Sequence, residues 1–118
     1  MAGDFENTIR RMEQYGISLA SPLNKYGWTA LHTACYAGQL ELVRYFLEEC
    51  DGADVNQLNS NGWNSLIFAV YGGHLDVIDF LMFETTVEID SKDNTGKTAI
   101  QIAQEIKDDD ILELFNEK

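Results

Sequence analysis

Two histidines, two cysteines and one run of three aspartates are the first places to look for chemistry in this 118-residue chain. His32 and His74 are its only histidines. A zinc site needs three or four converging ligands, and two imidazoles in separate segments supply too few. Cys35 and Cys50 form no metal-ligand spacing and no disulfide framework. Neither cysteine is set beside an activating base, so a thiolate nucleophile is not expected. Asp108, Asp109 and Asp110 are consecutive and do not converge as the ligands of a calcium loop do. They suit the positive end of a helix dipole instead. The chain has no Gly-rich phosphate loop, no Ser/His/Asp order and no paired acid–base carboxylates. Catalysis, a bound metal and a cofactor are therefore not expected.

What remains is contact chemistry. Trp28 and Tyr36 recur as Trp63 and Tyr71, in the same register. Aromatic side chains bury much area with few rotors, which is why binding hot spots favour them. They also pack well against neighbouring turns. The pattern alone leaves partner contact and turn packing both open.

These aromatics belong to a repeat. Gly27 to Leu47 reads GWTALHTACYAGQLELVRYFL, and Gly62 to Met82 reads GWNSLIFAVYGGHLDVIDFLM. Gly62 follows Gly27 by 35 residues, and Gly96 opens a more diverged copy 34 residues later. A period in this range marks stacked supersecondary units. Each copy starts with a turn sequence: Asn24 to Gly27, Asn59 to Gly62, Asp93 to Gly96. Thr29, Asn64 and Thr98 then stand as helix N-caps, and Thr98 with Gln101 fits a capping box. A short first helix follows, with Leu31 and Ala34, Leu66 and Ala69, or Ile100 and Ala103 on one face. Gly38 and Gly73 stop it. A second helix carries Leu40, Val43 and Phe46, then Leu75, Ile78 and Leu81, then Ile111, Leu112 and Phe115. Asp54-Val55-Asn56 and Glu88-Ile89-Asp90 lead onward as extended chain. One unit cannot bury its apolar face alone, so stacking must supply the core.

The sequences Thr29-Ala30-Leu31-His32-Thr33-Ala34, Gly38-Gln39-Leu40-Glu41-Leu42-Val43 and Gly52-Ala53-Asp54-Val55-Asn56 resemble the ankyrin repeat. That family's pattern is T-P-L-H-x-A, G-H-L-E-hydrophobic-V and G-A-D-V-N. The resemblance covers about residues 24–118. Ala30, Ser65 and Ala99 replace the family proline, Ile67 and Gln101 match His32, and Lys107 replaces a helix-ending glycine. It implies an all-α solenoid of helix-turn-helix units with β-turns and extended loops. The expected organisation is a cap helix within 1–22, repeats at 23–57 and 58–91, and a capping repeat at 92–118. Asp4 to Tyr15 reads as half of a first unit, either an N-terminal cap or the trimmed edge of something longer.

The resemblance also implies a concave face built from turn tips and first helices. Carried over, the tips are Lys25 and Tyr26, Ser60 and Asn61, Asn94 and Thr95. The position after the glycine is Trp28, Trp63 and Lys97, and the position before the helix end is Tyr36, Tyr71 and Glu105. The implied function is binding another protein or peptide, by a monomer or a module of a larger protein. His32 and His74 fall on structural positions of the motif. Asn56 resembles the family's hydroxylatable asparagine.

The net charge of −12 disfavours nucleic acid and anionic membrane as partners. Acidity is spread through every segment and suits solubility. The alternative is an acidic escort for a basic protein or tail, using the back face and loops. Only Lys25, Lys97 and Glu105 are charged among the predicted contact positions, which argues against charge-driven capture on that face. The N-terminus lacks the apolar core of a signal peptide, and the cysteine usage suggests a reduced setting, cytoplasmic or nuclear.

Overall fold

The computed structural model of the protein describes residues 22–50 and 52–117. The helix expected over Asp4 to Tyr15 lies outside the described residues. The described chain forms six helices and no strand: α1 (Ala30–Ala37), α2 (Leu40–Glu48), α3 (Ser65–Gly72), α4 (Leu75–Glu84), α5 (Ala99–Ile106) and α6 (Asp109–Glu117). They pair as α1/α2, α3/α4 and α5/α6. The first helices make an inner row, α1 on α3 on α5, and the second helices an outer row, α2 on α4 on α6.

Local chemistry sets the boundaries. Thr29 Oγ1 accepts the His32 N–H at 3.2 Å, and His32 Nδ1 accepts the Thr29 N–H at 3.1 Å. That is a reciprocal capping box, which spares two orphan donors of the first turn. Thr98 and Gln101 form the same box on α5. Asn64 caps α3 through its carbonyl oxygen, 3.0 Å from the Ile67 N–H. Gly38 and Gly73 end α1 and α3 in the left-handed region, at φ 75° and 73°. Lys107 ends α5 in the same region at φ 64°, although it carries a Cβ.

The turns obey one rule. Asn24, Asn59 and Asp93 each use a side-chain oxygen to accept two backbone N–H groups, from the residues two and four positions on. Adjacent turns are then tied together. The Ser60 N–H donates to the Tyr26 carbonyl at 3.0 Å, and the Asn94 N–H to the Asn61 carbonyl at 3.0 Å.

Burial follows position in the stack. In α3, at the middle of the inner row, every residue from Ser65 to Val70 is buried. A helix covered on both flanks and from behind has no polar face to show, which explains its unbroken apolar run. Each buried Leu or Ile contributes about 1.5–3 kcal/mol. Leu75, expected on the packed side of α4, is instead 38% exposed, and Val77 and Phe80 are buried. The buried arc of α4 is turned by contact with α2, α3 and α6 together, which leaves Leu75 at the edge of the outer row.

Candidate partner-binding face

The turn tips and the inner helices present the predicted contact residues, and aromatic packing organises them. Phe68 on α3 is wholly buried and sits between both tryptophans. Its ring centroid is 4.7 Å from Trp28 and 5.4 Å from Trp63, both edge-on. His32 stacks on Phe68 at 4.6 Å with an interplanar angle of 19°. Trp28 in turn meets Tyr36 edge-on at 5.3 Å, and Trp63 meets Tyr71 at 4.5 Å. The result is a row in the order Tyr36, Trp28, Phe68, Trp63, Tyr71, running across two repeats.

Position in the row sets how much of each ring is exposed. Trp28 and Trp63 are half-buried and pack on Phe68, so they do stiffen the stack. Tyr36 and Tyr71 are 45% and 37% exposed, and Tyr26 is 53% exposed. Burial raises the pKa of the Tyr71 hydroxyl, as do the Asp93 and Glu105 carboxylates against a smaller opposing effect of Lys97. It is therefore a neutral donor at physiological pH. Edge-to-face pairs contribute about 0.5–1.5 kcal/mol beyond their buried area. They also hold the exposed rings in place.

The third repeat replaces the aromatic pair with charge. Lys97 Nζ donates to Glu105 Oε2 at 2.9 Å, at the positions held by Trp and Tyr in the first two repeats. That bond raises the Lys97 pKa. Lys25, the remaining charge on the predicted face, lies 5.2 Å from the centroid of the Tyr26 ring, within reach of a cation–π contact. Of the tip residues, Asn94 spends its side-chain N–H on the Ser60 carbonyl at 2.8 Å, and the Thr95 hydroxyl donates to Asp93 at 2.6 Å. Ser60 and Asn61 are exposed. Asp93 is pulled toward a raised pKa by burial, but hydrogen bonds from Thr95 and Lys97 outweigh this and hold it below the usual aspartate value.

The histidines and Cys35 are committed to structure. His32 is fully buried, its Nε2–H donates to the Gln57 carbonyl at 2.9 Å, and Nδ1 accepts from Thr29. Burial lowers its pKa, against the opposing pull of its backbone bonds to Gln57 and Gly27. Although His32 lies three residues before Cys35, neither ring nitrogen is free to activate that thiol. Cys35 is itself fully buried, and burial pushes its pKa up. His74 donates from Nε2 to the Tyr36 carbonyl at 2.9 Å, so it bridges two repeats. Its ring fills the space that a Cβ on Gly38 or Gly72 would enter. Asn56 uses its whole side-chain amide to clamp the next loop, accepting from the Glu88 N–H at 2.7 Å and donating to the Thr86 carbonyl at 3.2 Å. Among the described residues no group of three His, Cys, Asp or Glu is placed to hold a metal ion, and no helix is long and apolar enough to cross a membrane.

Phe68 is the residue that the repeat pattern does not flag. Its counterparts are Thr33 and Ile102, so the position does not recur as aromatic. A family model described as ankyrin repeats, in three copies, matches residues 7–93 and 51–118. Among curated proteins no significant match to the chain was found.

Proposed function

This chain belongs to the ankyrin-repeat family, whose members are generally protein–protein interaction modules, and on that premise we propose that it binds a peptide segment of a partner protein across Tyr36 and Tyr71. One observation carries the reading. Two exposed tyrosines stand on half-buried tryptophans, aligned by one buried phenylalanine. Rings held in place by such packing lose little rotamer freedom on binding, and that loss is one of the main terms opposing association. Tyr26, Ser60 and Asn61 extend the surface along the tips, and Lys97 with Glu105 bounds it with a self-neutralising pair. A reducing compartment, cytoplasm or nucleus, suits a chain whose two cysteines show no disulfide framework in their spacing.

The test uses the tyrosines, because removing a tryptophan would also disturb Phe68. Peptides are selected by display against the immobilised wild type, and their affinities are measured for Tyr36→Ala/Tyr71→Ala. A loss of at least about tenfold is expected, as for hot-spot aromatics. Unchanged affinity with an unchanged melting curve would refute the reading. The escort alternative has one observation in its favour. Among the described residues only Arg44–Glu48 and Lys97–Glu105 are ion pairs, so most of the described carboxylates stand outside any ion pair with another described residue. Affinity that collapses between low and physiological salt favours the escort, and weak salt dependence favours the tyrosines.

A further inference from the structure

Among the described residues the outer row has two seams built from the same positions of the repeat, and one of them carries a cation. At the α2/α4 seam, the Arg44 guanidinium carbon lies 5.4 Å from the centroid of the Phe80 ring, and Nε donates to Glu48 at 3.1 Å. At the α4/α6 seam the corresponding residues are Asp79 and Leu114. Where the first seam has a guanidinium over an aromatic ring, the second has a carboxylate beside an aliphatic side chain.

That second seam is an open groove of about 330 Å³. Leu75 and Leu114 give it an apolar floor. Asp76 and Asp79 on α4 face Asp110 and Glu113 on α6, with Glu117 at one end. Among the described residues no lysine or arginine lines it, and none of these carboxylates takes part in either ion pair of those residues. Like charges gathered around an exposed apolar strip are mutually destabilising unless a cation comes from outside. The chemistry that fits both parts is a Lys or Arg side chain. Its aliphatic stem covers apolar surface while its head reaches for carboxylates.

We propose that the groove between α4 and α6 docks a basic segment of a partner protein, a stretch rich in arginine or lysine that also carries an apolar anchor. The first seam shows the arrangement within the chain, where Arg44 caps an apolar neighbour beside a glutamate. The basic segment supplies at the second seam the cation that Asp79 has displaced. This site is on the opposite row of helices from the tyrosines and does not depend on their role.

The test is fluorescence anisotropy with a labelled synthetic peptide of four Arg-Leu-Arg units, alongside its Glu-Leu-Glu counterpart. The wild type should bind the first and not the second. Asp79→Asn/Glu113→Gln should weaken binding at least about tenfold, the scale of losing two charge contacts with a shared anchor. Glu88→Gln/Asp90→Asn removes the same charge from a loop outside the groove and should weaken binding by less than about twofold. Leu114→Ser should weaken it as the acidic double variant does, and Tyr36→Ala/Tyr71→Ala should leave it unchanged. Amide shifts on titrating the peptide into labelled wild type should fall on α4 and α6. Equal loss in the two charge variants would overturn the proposal in favour of a general acidic field. Loss in the tyrosine variant, or shifts confined to the inner row, would overturn it in favour of the other face.

Discussion

The join between the first and second repeats is aromatic, whereas the join between the second and third is aliphatic and ionic. Both use the same backbone frame, with an Asx-anchored turn, a polar N-cap and a left-handed helix end. The side chains that fill the frame differ. At the first join Phe68 gathers Trp28, His32 and Trp63. At the second, Ile102 occupies the Phe68 position, and Lys97 with Glu105 replaces the Trp–Tyr pair. The difference shows how a repeat protein divides its work. The frame is maintained by backbone chemistry that every unit shares, and the individual surface is made where one unit departs from its neighbours.

The largest break in this comparison comes from Phe68→Ala. It removes a fully buried aromatic that supports both tryptophans, and about 3–5 kcal/mol of stability should be lost. Out of a typical total of about 5–15 kcal/mol this is severe, and urea unfolding with tryptophan fluorescence would measure it. A loss below about 1 kcal/mol would mean that the aromatic row is ornamental.

A smaller effect concerns His32, which exists only at the first join. Its folded pKa is depressed by burial, so its contribution to stability is complete above the unfolded value of about 6.5 and is lost as pH falls through the folded value. The denaturant midpoint should fall on acidification from about pH 7 to pH 5. His32→Gln, the residue that completes the same capping box on α5 as Gln101, should flatten that dependence. An unaltered slope in the variant would assign the acid sensitivity to other groups. The smallest effect is a gain. Lys107→Gly gives the third repeat the helix end of the other two and relieves a left-handed non-glycine residue, for about 1 kcal/mol. Thermal melting would detect it, and a lower midpoint would show that the Lys107 side chain makes a contact that outweighs the strain.

Much of the frame was legible in the sequence because it recurs. The turn residues, Thr29, Asn64 and Thr98 as caps, and Gly38 and Gly73 as stops all act locally, within four residues, so spacing alone reveals them. Phe68 was not legible, because its position holds Thr in one copy and Ile in another, and a recurrence search discards what does not recur. Leu75 was assigned to the core because its helical spacing matches Leu40, but burial depends on which helices flank α4, and that is set by the stack. The tryptophans stayed ambiguous because an aromatic side chain serves packing and binding equally well. Tyr36 and Tyr71 are the more exposed member of each pair, and Trp28 and Trp63 the more buried.

The bridge from His74 to the Tyr36 carbonyl has a consequence for how such a chain can grow. The imidazole needs bare backbone at both Gly38 and Gly72. The first and second units are thus cut to each other, like a matched lock and bolt. The third unit has Ile106, Lys107 and Asp108 where the second has Gly72, Gly73 and His74. A unit of that kind set directly after the first would leave the Tyr36 carbonyl without its donor. Any unit that directly follows the first must therefore bring its own histidine, and a glycine two residues before it, to that contact.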